Sequence, residues 1–349
     1  MVVQAWLGWI GCDARVEDAG PAARVAARAG ATAHAQVCDA PVVEPTAVVS
    51  VEVTATELDP TLAQAEWELD GASGTGDPFP NQTHRLALPV GGPTRDELVL
   101  ILPGTAQECA QFTTLVDTAA SYGFAALCLG YPNQPMVAET CAGSDDPACS
   151  EGVRTEILYG LDASPLLALT SENSVAGRLA VALDVLHAAF PADGWDRYLG
   201  PDGVVWDQVA AVGFSQGAGH VSLLARDHAL SRAVLLSGGC DPSVEGRSAW
   251  CTDPRATPLD HTFLYWHRDE PAAAELASLA DALGQGPAVD VDTSGLGCAR
   301  ALTTGQETAQ THGVVAVDGA IAVDDAGAPV DAAVYQWLLL ADALAPWRA

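Results

Sequence analysis

The sequence predicts an α/β protein. It expects a mostly parallel central sheet flanked by helices, antiparallel strands at the N-terminal side and a loop-rich insertion. Three observations predict this. First, the runs "LVLIL" (98–102), "FAALCL" (124–129), "RAVLLSGG" (232–239) and "HTFLYWH" (261–267) are continuously apolar, as strands covered on both faces are. Second, helical patterns lie between successive runs, the arrangement that makes neighbouring strands parallel. Third, the run 209–212 leads through Gly213-Phe214-Ser215-Gln216-Gly217 into a helix-compatible stretch. That is a G-x-S-x-G pattern in a strand–turn–helix context.

The chain of 349 residues with 49% hydrophobic content can bury one large core or two modest ones. No apolar run is long enough to span a bilayer. The net charge is −30, and all 15 basic residues are Arg. Such a surface repels nucleic acid and anionic membranes, so no nucleic-acid partner is expected. Oligomeric state is not legible. Of the nine cysteines, Cys141 and Cys149 flank one polar loop and Cys240 and Cys251 another. Both spacings suit loop-closing disulfides, and so an oxidising, exported location: periplasm, cell surface or medium. There is no C-x-x-C and no His pair at ligand spacing, so no metal is expected.

Residues 1–45 are rich in Ala, Gly and Pro and lack a clean period, so they read as a tail or linker. "MVVQAWLGWIGC" is short and lacks a basic flank, at most a degenerate export signal. The domain runs over 46–349. Its opening stretches "AVVSVEVTA", "AEWELD" and "HRLALPV" are separated by turn residues and predict an antiparallel sheet, with Val49, Val51 and Val53 on one face. After 98–102 a helical pattern places Phe112, Leu115, Val116 and Ala119 together, with Gly123 as the stop.

The segment 134–172 holds the first cysteine pair and Arg154, and sits where a lid or cap over a site would be inserted. Asn173 or Ser174 then caps a helix that Pro191 ends. Further on, "PAAAELASLADAL" predicts a helix, "AVDVD" a strand, a glycine-rich segment leads to Thr311-His312-Gly313, and 329–344 predicts a closing helix.

The elbow spacing has a steric reason. A sharp turn forces the serine backbone into strain, and side chains two residues either side would collide, so both positions are Gly. Serine is a poor nucleophile unless a base takes its proton and a carboxylate orients that base. His312, in a loop beyond the last predicted strand, is the candidate base. Asp269, just after strand 261–267, is the candidate acid, with Asp241 as the competitor and Glu270 expected to point elsewhere. His261 and His267 are expected to pack or face solvent, and His220 to be a buried, hydrogen-bonded structural histidine. The Gln216 amide is one candidate oxyanion donor. Thr105 or Ala106 supplies the other, with Gly104 setting the turn.

With "LPGT", "GFSQGAGH", "HRDE" and "THG" in place, the chain from about Leu98 onward resembles the α/β-hydrolase superfamily, in particular exported bacterial esterase-like members. The resemblance implies an eight-stranded, mostly parallel sheet, a Ser215–Asp269–His312 triad and no cofactor. It also implies a serine hydrolase acting on a small-molecule or lipid-like carboxylic ester. Thioester, lactone or peptide cleavage, acyl transfer, and a non-catalytic binding role remain open alternatives. Two departures stand out. The oxyanion loop lacks the HGGG form, and the stretch from "AVDVD" to His312 is longer than usual, which leaves the register of the final strand open.

Overall fold

The computed structural model describes residues 42–63, 66–69, 72–75, 83–134, 136–243, 246–325 and 327–341. The expected N-terminal tail and export signal fall almost wholly outside the described residues. Among the described residues, nine strands form the central sheet. In chain order they are β1 (Val48–Thr54), β2 (Thr83–Pro89), β3 (Leu98–Leu102), β4 (Ala125–Cys128), β5 (Val209–Phe214), β6 (Arg232–Leu236), β7 (Thr262–His267), β8 (Val289–Asp290) and β9 (Ala301–Thr304). Their spatial order is β1-β2-β4-β3-β5-β6-β7-β9-β8. The pairs β1/β2 and β2/β4 are antiparallel, and all other pairs are parallel. This is the α/β-hydrolase fold.

The layers follow from the pleat. Alternate residues of β3 enter opposite cores: Leu98, Leu100 and Leu102 face one way, Val99 and Ile101 the other. The second face is covered by α1 (Thr113–Ser121), through Leu115 and Val116. The first face is covered by α2 (Cys149–Tyr159), α3 (Val175–Ala189), α4 (Gln216–Asp227) and α5 (Ala273–Ala282). The closing helix α6 (Ala332–Leu340) joins α1 on the second face through Val334, Trp337 and Leu338. Strands β3, β5 and β6 are buried on both faces, which is why their sequences run apolar without alternation. Of the two expected caps for α3, Ser174 is the one used: its hydroxyl accepts from the Gly177 amide at 3.0 Å.

Several expectations are corrected. The stretch "AEWELD" does not join the opening sheet. Its strand Glu66–Leu69 pairs with Ala72–Thr75 and Leu167–Leu169 in a separate antiparallel sheet. Val49 and Val51 do share a face of β1, but they face solvent, 64% and 54% exposed. The "AVDVD" strand shrinks to β8 at the sheet edge, and β9 inserts between it and β7. This extra strand explains the long stretch before His312: the chain makes one more pass through the sheet. The closing helix begins at Ala332, and its expected end at 342–344 lies outside the described residues. The segment 134–172 is loop-rich as expected, but it also contains α2, which packs Val153, Ile157 and Leu158 into the core.

Both expected disulfides are present, Cys141–Cys149 and Cys240–Cys251. A third, Cys109–Cys128, was not expected, because Cys128 lies inside an apolar strand and reads as a small core residue. Pairs of this kind form and persist in an oxidising environment.

His84 on β2 is buried and accepts a hydrogen bond at Nδ1 from the Gly130 amide, 3.0 Å away. Arg178 donates to the Gly130 carbonyl, 3.1 Å away. Together they brace the chain as it leaves β4 toward the site. Burial, and then the nearby Arg178 charge, pull the His84 pKa down from 6.5 to about 3.

The cross-links and the buried histidine can each be checked in solution. Alkylation of the denatured, unreduced protein leaves Cys109, Cys128, Cys141, Cys149, Cys240, Cys251 and Cys298 unmodified, whereas after reduction all nine cysteines react. Intact mass reads the difference. For His84 the variable is acid. The folded state resists charging His84 and the unfolded state does not, so this stability is complete above pH 6.5 and is lost as the pH falls toward about 3. The urea midpoint of His84→Gln should therefore fall less between pH 7 and pH 5 than that of the wild type.

Candidate active site

Ser215 sits between β5 and α4 with φ 54 and ψ −117, a conformation L-residues rarely adopt. The neighbouring glycines are required by contact. A Cβ on Gly213 would lie 2.2 Å from the Gly217 carbonyl oxygen, and one on Gly217 would lie 2.1 Å from the Leu102 oxygen. The Ser215 amide donates to the Leu236 carbonyl at 2.8 Å, tying the turn to β6. The backbone thus makes a sharp strand–turn–helix elbow at the serine.

His312 lies beyond β9. Its ring packs against Phe214, the residue before Ser215, with 5.0 Å between centroids. Its Nδ1 lies 2.6 Å from Oε2 of Glu270. Asp269, the acid expected from the sequence, is not at this position. Its side chain is 71% exposed and lies beside Arg268, whereas the Glu270 side chain is fully buried. The turn explains the exchange. The Asp269 amide donates back to His267 Nδ1 at 3.0 Å, and the Glu270 amide returns to the His267 carbonyl at 3.2 Å. The chain thus reverses at 268–269, where both side chains turn outward, and Glu270 is the first to re-enter the interior. No hydrogen bond joins Ser215 to His312 among the described residues. Such bonds are often long without a bound substrate.

The competitor Asp241 is also excluded from this position. Its carboxylate is buried and held by Arg154, through Nε at 2.5 Å and Nη2 at 2.6 Å. Arg154 Nη1 donates to the Gln216 carbonyl, 2.9 Å away. The fork thus links α2 in the inserted segment to the start of α4 and to the loop after β6. The sequence placed Arg154 in the insertion but not in this role; a lone Arg in a helix whose other charges are Glu151 and Glu156 was the only signal.

The structure brings the two oxyanion candidates to one place. The Thr105 and Gln216 amides have no hydrogen-bond partner among the described residues. The loop approaches closely at Gly104, where a Cβ would lie 3.1 Å from Ser215 Cβ. The alternative, Ala106, spends its amide on the Asn133 carbonyl at 3.2 Å. The Gln216 side chain ties the parts together: Oε1 accepts from Thr105 Oγ1 at 3.1 Å and from the Val137 amide at 3.0 Å, and Nε2 donates to Asn133 O at 3.1 Å. Asn133 Nδ2 in turn donates to the carbonyls of Gly104 and Gln107, both at 2.8 Å. Neither Asn133 nor the Gln216 side chain was picked out by sequence, because an amide in a loop has no distinctive pattern.

The other histidines have separate places. His267 is fixed between the Asp269 amide and the Gln306 carbonyl, the latter 3.0 Å from Nε2. His261 Nδ1 meets the Ser231 carbonyl at 2.8 Å. His220 is fully buried as expected, but neither ring nitrogen has a hydrogen-bond partner among the described residues, which corrects the expected hydrogen bonding. Its ring meets Tyr131 edge-on at 5.4 Å. Burial, and secondarily Arg154, hold its pKa well below the ordinary value, so it stays neutral.

No protein-family model matches the chain, and no curated protein matches it. Among solved structures it is similar to a candidate dienelactone hydrolase from Klebsiella pneumoniae subsp. pneumoniae. The identity is 15% and the TM-score 0.37, over 84% of this chain and 96% of that one. The fold assignment rests on the strand order and the elbow, not on this likeness.

The Arg154–Asp241 pair gives a stability prediction. Removing one partner leaves a buried charge without compensation, so Arg154→Ala should cost about 3–5 kcal/mol in urea denaturation. Replacing both, as in Arg154→Met with Asp241→Leu, should recover most of that loss.

Proposed function

We propose that the chain is a serine hydrolase that cleaves carboxylic esters through an acyl-enzyme, with Ser215 as nucleophile, His312 as base and Glu270 as the orienting acid. The observation that carries this reading is the 2.6 Å contact between His312 and the fully buried Glu270, on a loop whose histidine packs beside the strained Ser215 turn. A carboxylate held out of water has little to gain there except by orienting the imidazole and stabilising its charged form.

In the first half of the reaction, His312 Nε2 takes the Ser215 proton as Oγ bonds to the ester carbonyl carbon. The carbonyl electrons move onto oxygen, where the Thr105 and Gln216 amides receive the charge. The imidazolium then protonates the departing alcohol as the carbon–oxygen bond breaks. Water, deprotonated by His312, attacks the acyl-serine and releases the acid and the free Ser215 hydroxyl. No cofactor enters this scheme. The substrate is a small-molecule or lipid-like ester, and the disulfides favour an exported location.

Fluorophosphonate labelling tests the reading before any substrate is identified. Wild type should label and Ser215→Ala should not. Glu270→Gln should lower kcat by roughly 10⁴-fold, as replacing a triad carboxylate does, while Asp269→Asn stays within about twofold of wild type. Absence of labelling in folded wild type would favour a binding protein of this fold. A large loss in Asp269→Asn with none in Glu270→Gln would return the acid role to Asp269.

A further inference from the structure

Helix α1 has an unusual start. Its N-cap position is Phe112, which offers no capping side chain. The cap comes instead from Asp318, far along the chain. Its Oδ2 accepts from the Thr113 amide at 2.8 Å and its Oδ1 from the Thr114 amide at 2.9 Å. The Asp318 amide returns the contact by donating to the Gln111 carbonyl at 2.8 Å. A carboxylate here satisfies two orphan donors and faces the positive end of the helix dipole.

The two segments joined in this way carry the two sides of the candidate site. Upstream of α1, the chain passes back through Cys109–Gln111 to the Thr105 loop, and Cys109 is pinned to β4 by its disulfide with Cys128. Upstream of Asp318, successive turns run back to His312. The Gly313 and Val314 amides donate to Gln310 O, and those of Ala316 and Val317 donate to Gly313 O. Val314, Val315 and Ala316 are buried, and Tyr335 holds the Val315 carbonyl at 3.1 Å. These turns and buried residues brace the His312 segment within the core it shares with α1, and Asp318 bonds it directly to the start of that helix.

We propose that Asp318 is a positioning residue: by capping α1 from the His312 segment, it sets the placement of the His312 ring relative to the Thr105 loop. For its catalytic consequence the proposal rests on the hydrolase reading above. Its structural consequence does not. The His312 ring lies over Phe214 and against Glu270, so its ring resonances report its placement whether or not any ester is turned over.

The test compares Asp318→Ala, Asp318→Asn and Ser174→Ala with wild type. Ser174→Ala removes an ordinary cap from α3 and controls for general loss of helix stability. The first readout is the ring carbon–proton NMR spectrum, with His312 assigned by its loss in His312→Ala. The second is kcat and KM on the ester that turns over fastest, or the labelling rate with a fluorophosphonate. Asp318→Ala should shift or broaden the His312 signal and lower kcat by about 10- to 100-fold with KM within about twofold, because small misplacements act on the reacting geometry. Asp318→Asn keeps one of two acceptors and should fall between, and it stands in if the Ala variant does not fold. Ser174→Ala should leave the His312 signal in place. An unmoved His312 signal in both Asp318 variants, or a shift of the same size in Ser174→Ala, would overturn the proposal. A moved signal in a protein that neither turns over esters nor labels would uphold the positioning and sink the hydrolase reading instead.

Discussion

The site depends on one steric constraint: α4 begins so close to β3 and β5 that no side chain fits at Gly213 or Gly217. That closeness forces Ser215 to positive φ, a strain of order 1–3 kcal/mol that the surrounding structure must hold. The bond from the Ser215 amide to β6 holds one side. Gly238 permits the other, since a Cβ there would lie 2.3 Å from the Ser215 carbonyl oxygen. The Gln216 amide at the start of α4, next to this turn, has no hydrogen-bond partner among the described residues. The loops after β3, β4, β6, β7 and β9 are arranged around that point.

Buried polar groups hold those loops in register. The chain carries 45 acidic residues against 15 Arg, so most of its carboxylates have no cation to meet. Yet Arg154 and Arg178 are almost fully buried. Each uses the planar guanidinium fork to join separate segments: Arg154 joins α2, α4 and the Asp241 loop, and Arg178 joins α3 to the chain leaving β4. Two of the scarce cations are thus used inside, where they join segments rather than offset the surface carboxylates. The inserted segment is consequently anchored through its own helix, and its Arg154 reaches the Gln216 carbonyl next to the Ser215 turn.

The disulfides follow the same plan. Cys109–Cys128 ties the region after the Thr105 loop to β4, Cys141–Cys149 closes the inserted segment ahead of α2, and Cys240–Cys251 closes the loop that carries Asp241. Each of these three ties down a segment that leads toward the candidate site. Cross-links of this sort restrict the unfolded chain and keep long irregular stretches in place without needing more apolar burial.

Short-range rules determined a large part of this protein from sequence. The continuous apolar strands, the alternation with helices and the G-x-S-x-G turn are set by burial and by local sterics, so the parallel sheet and the sharp turn at Ser215 were legible. So were the two cysteine pairs that close short polar loops. The tertiary structure decided whatever depends on which way a side chain leaves a turn or on which distant segment meets it. Glu270 rather than Asp269 faces His312 because the turn after β7 reverses on His267, and adjacent carboxylates look alike in sequence. The strand β9 is four residues of mixed character, given its place only by a slot beside β7. Arg154, Gln216, Asn133 and Asp318 act through partners far away in the chain, and Cys128 hid among apolar neighbours. Pairing energies of that kind arise only when folding brings the partners together and removes the water between them.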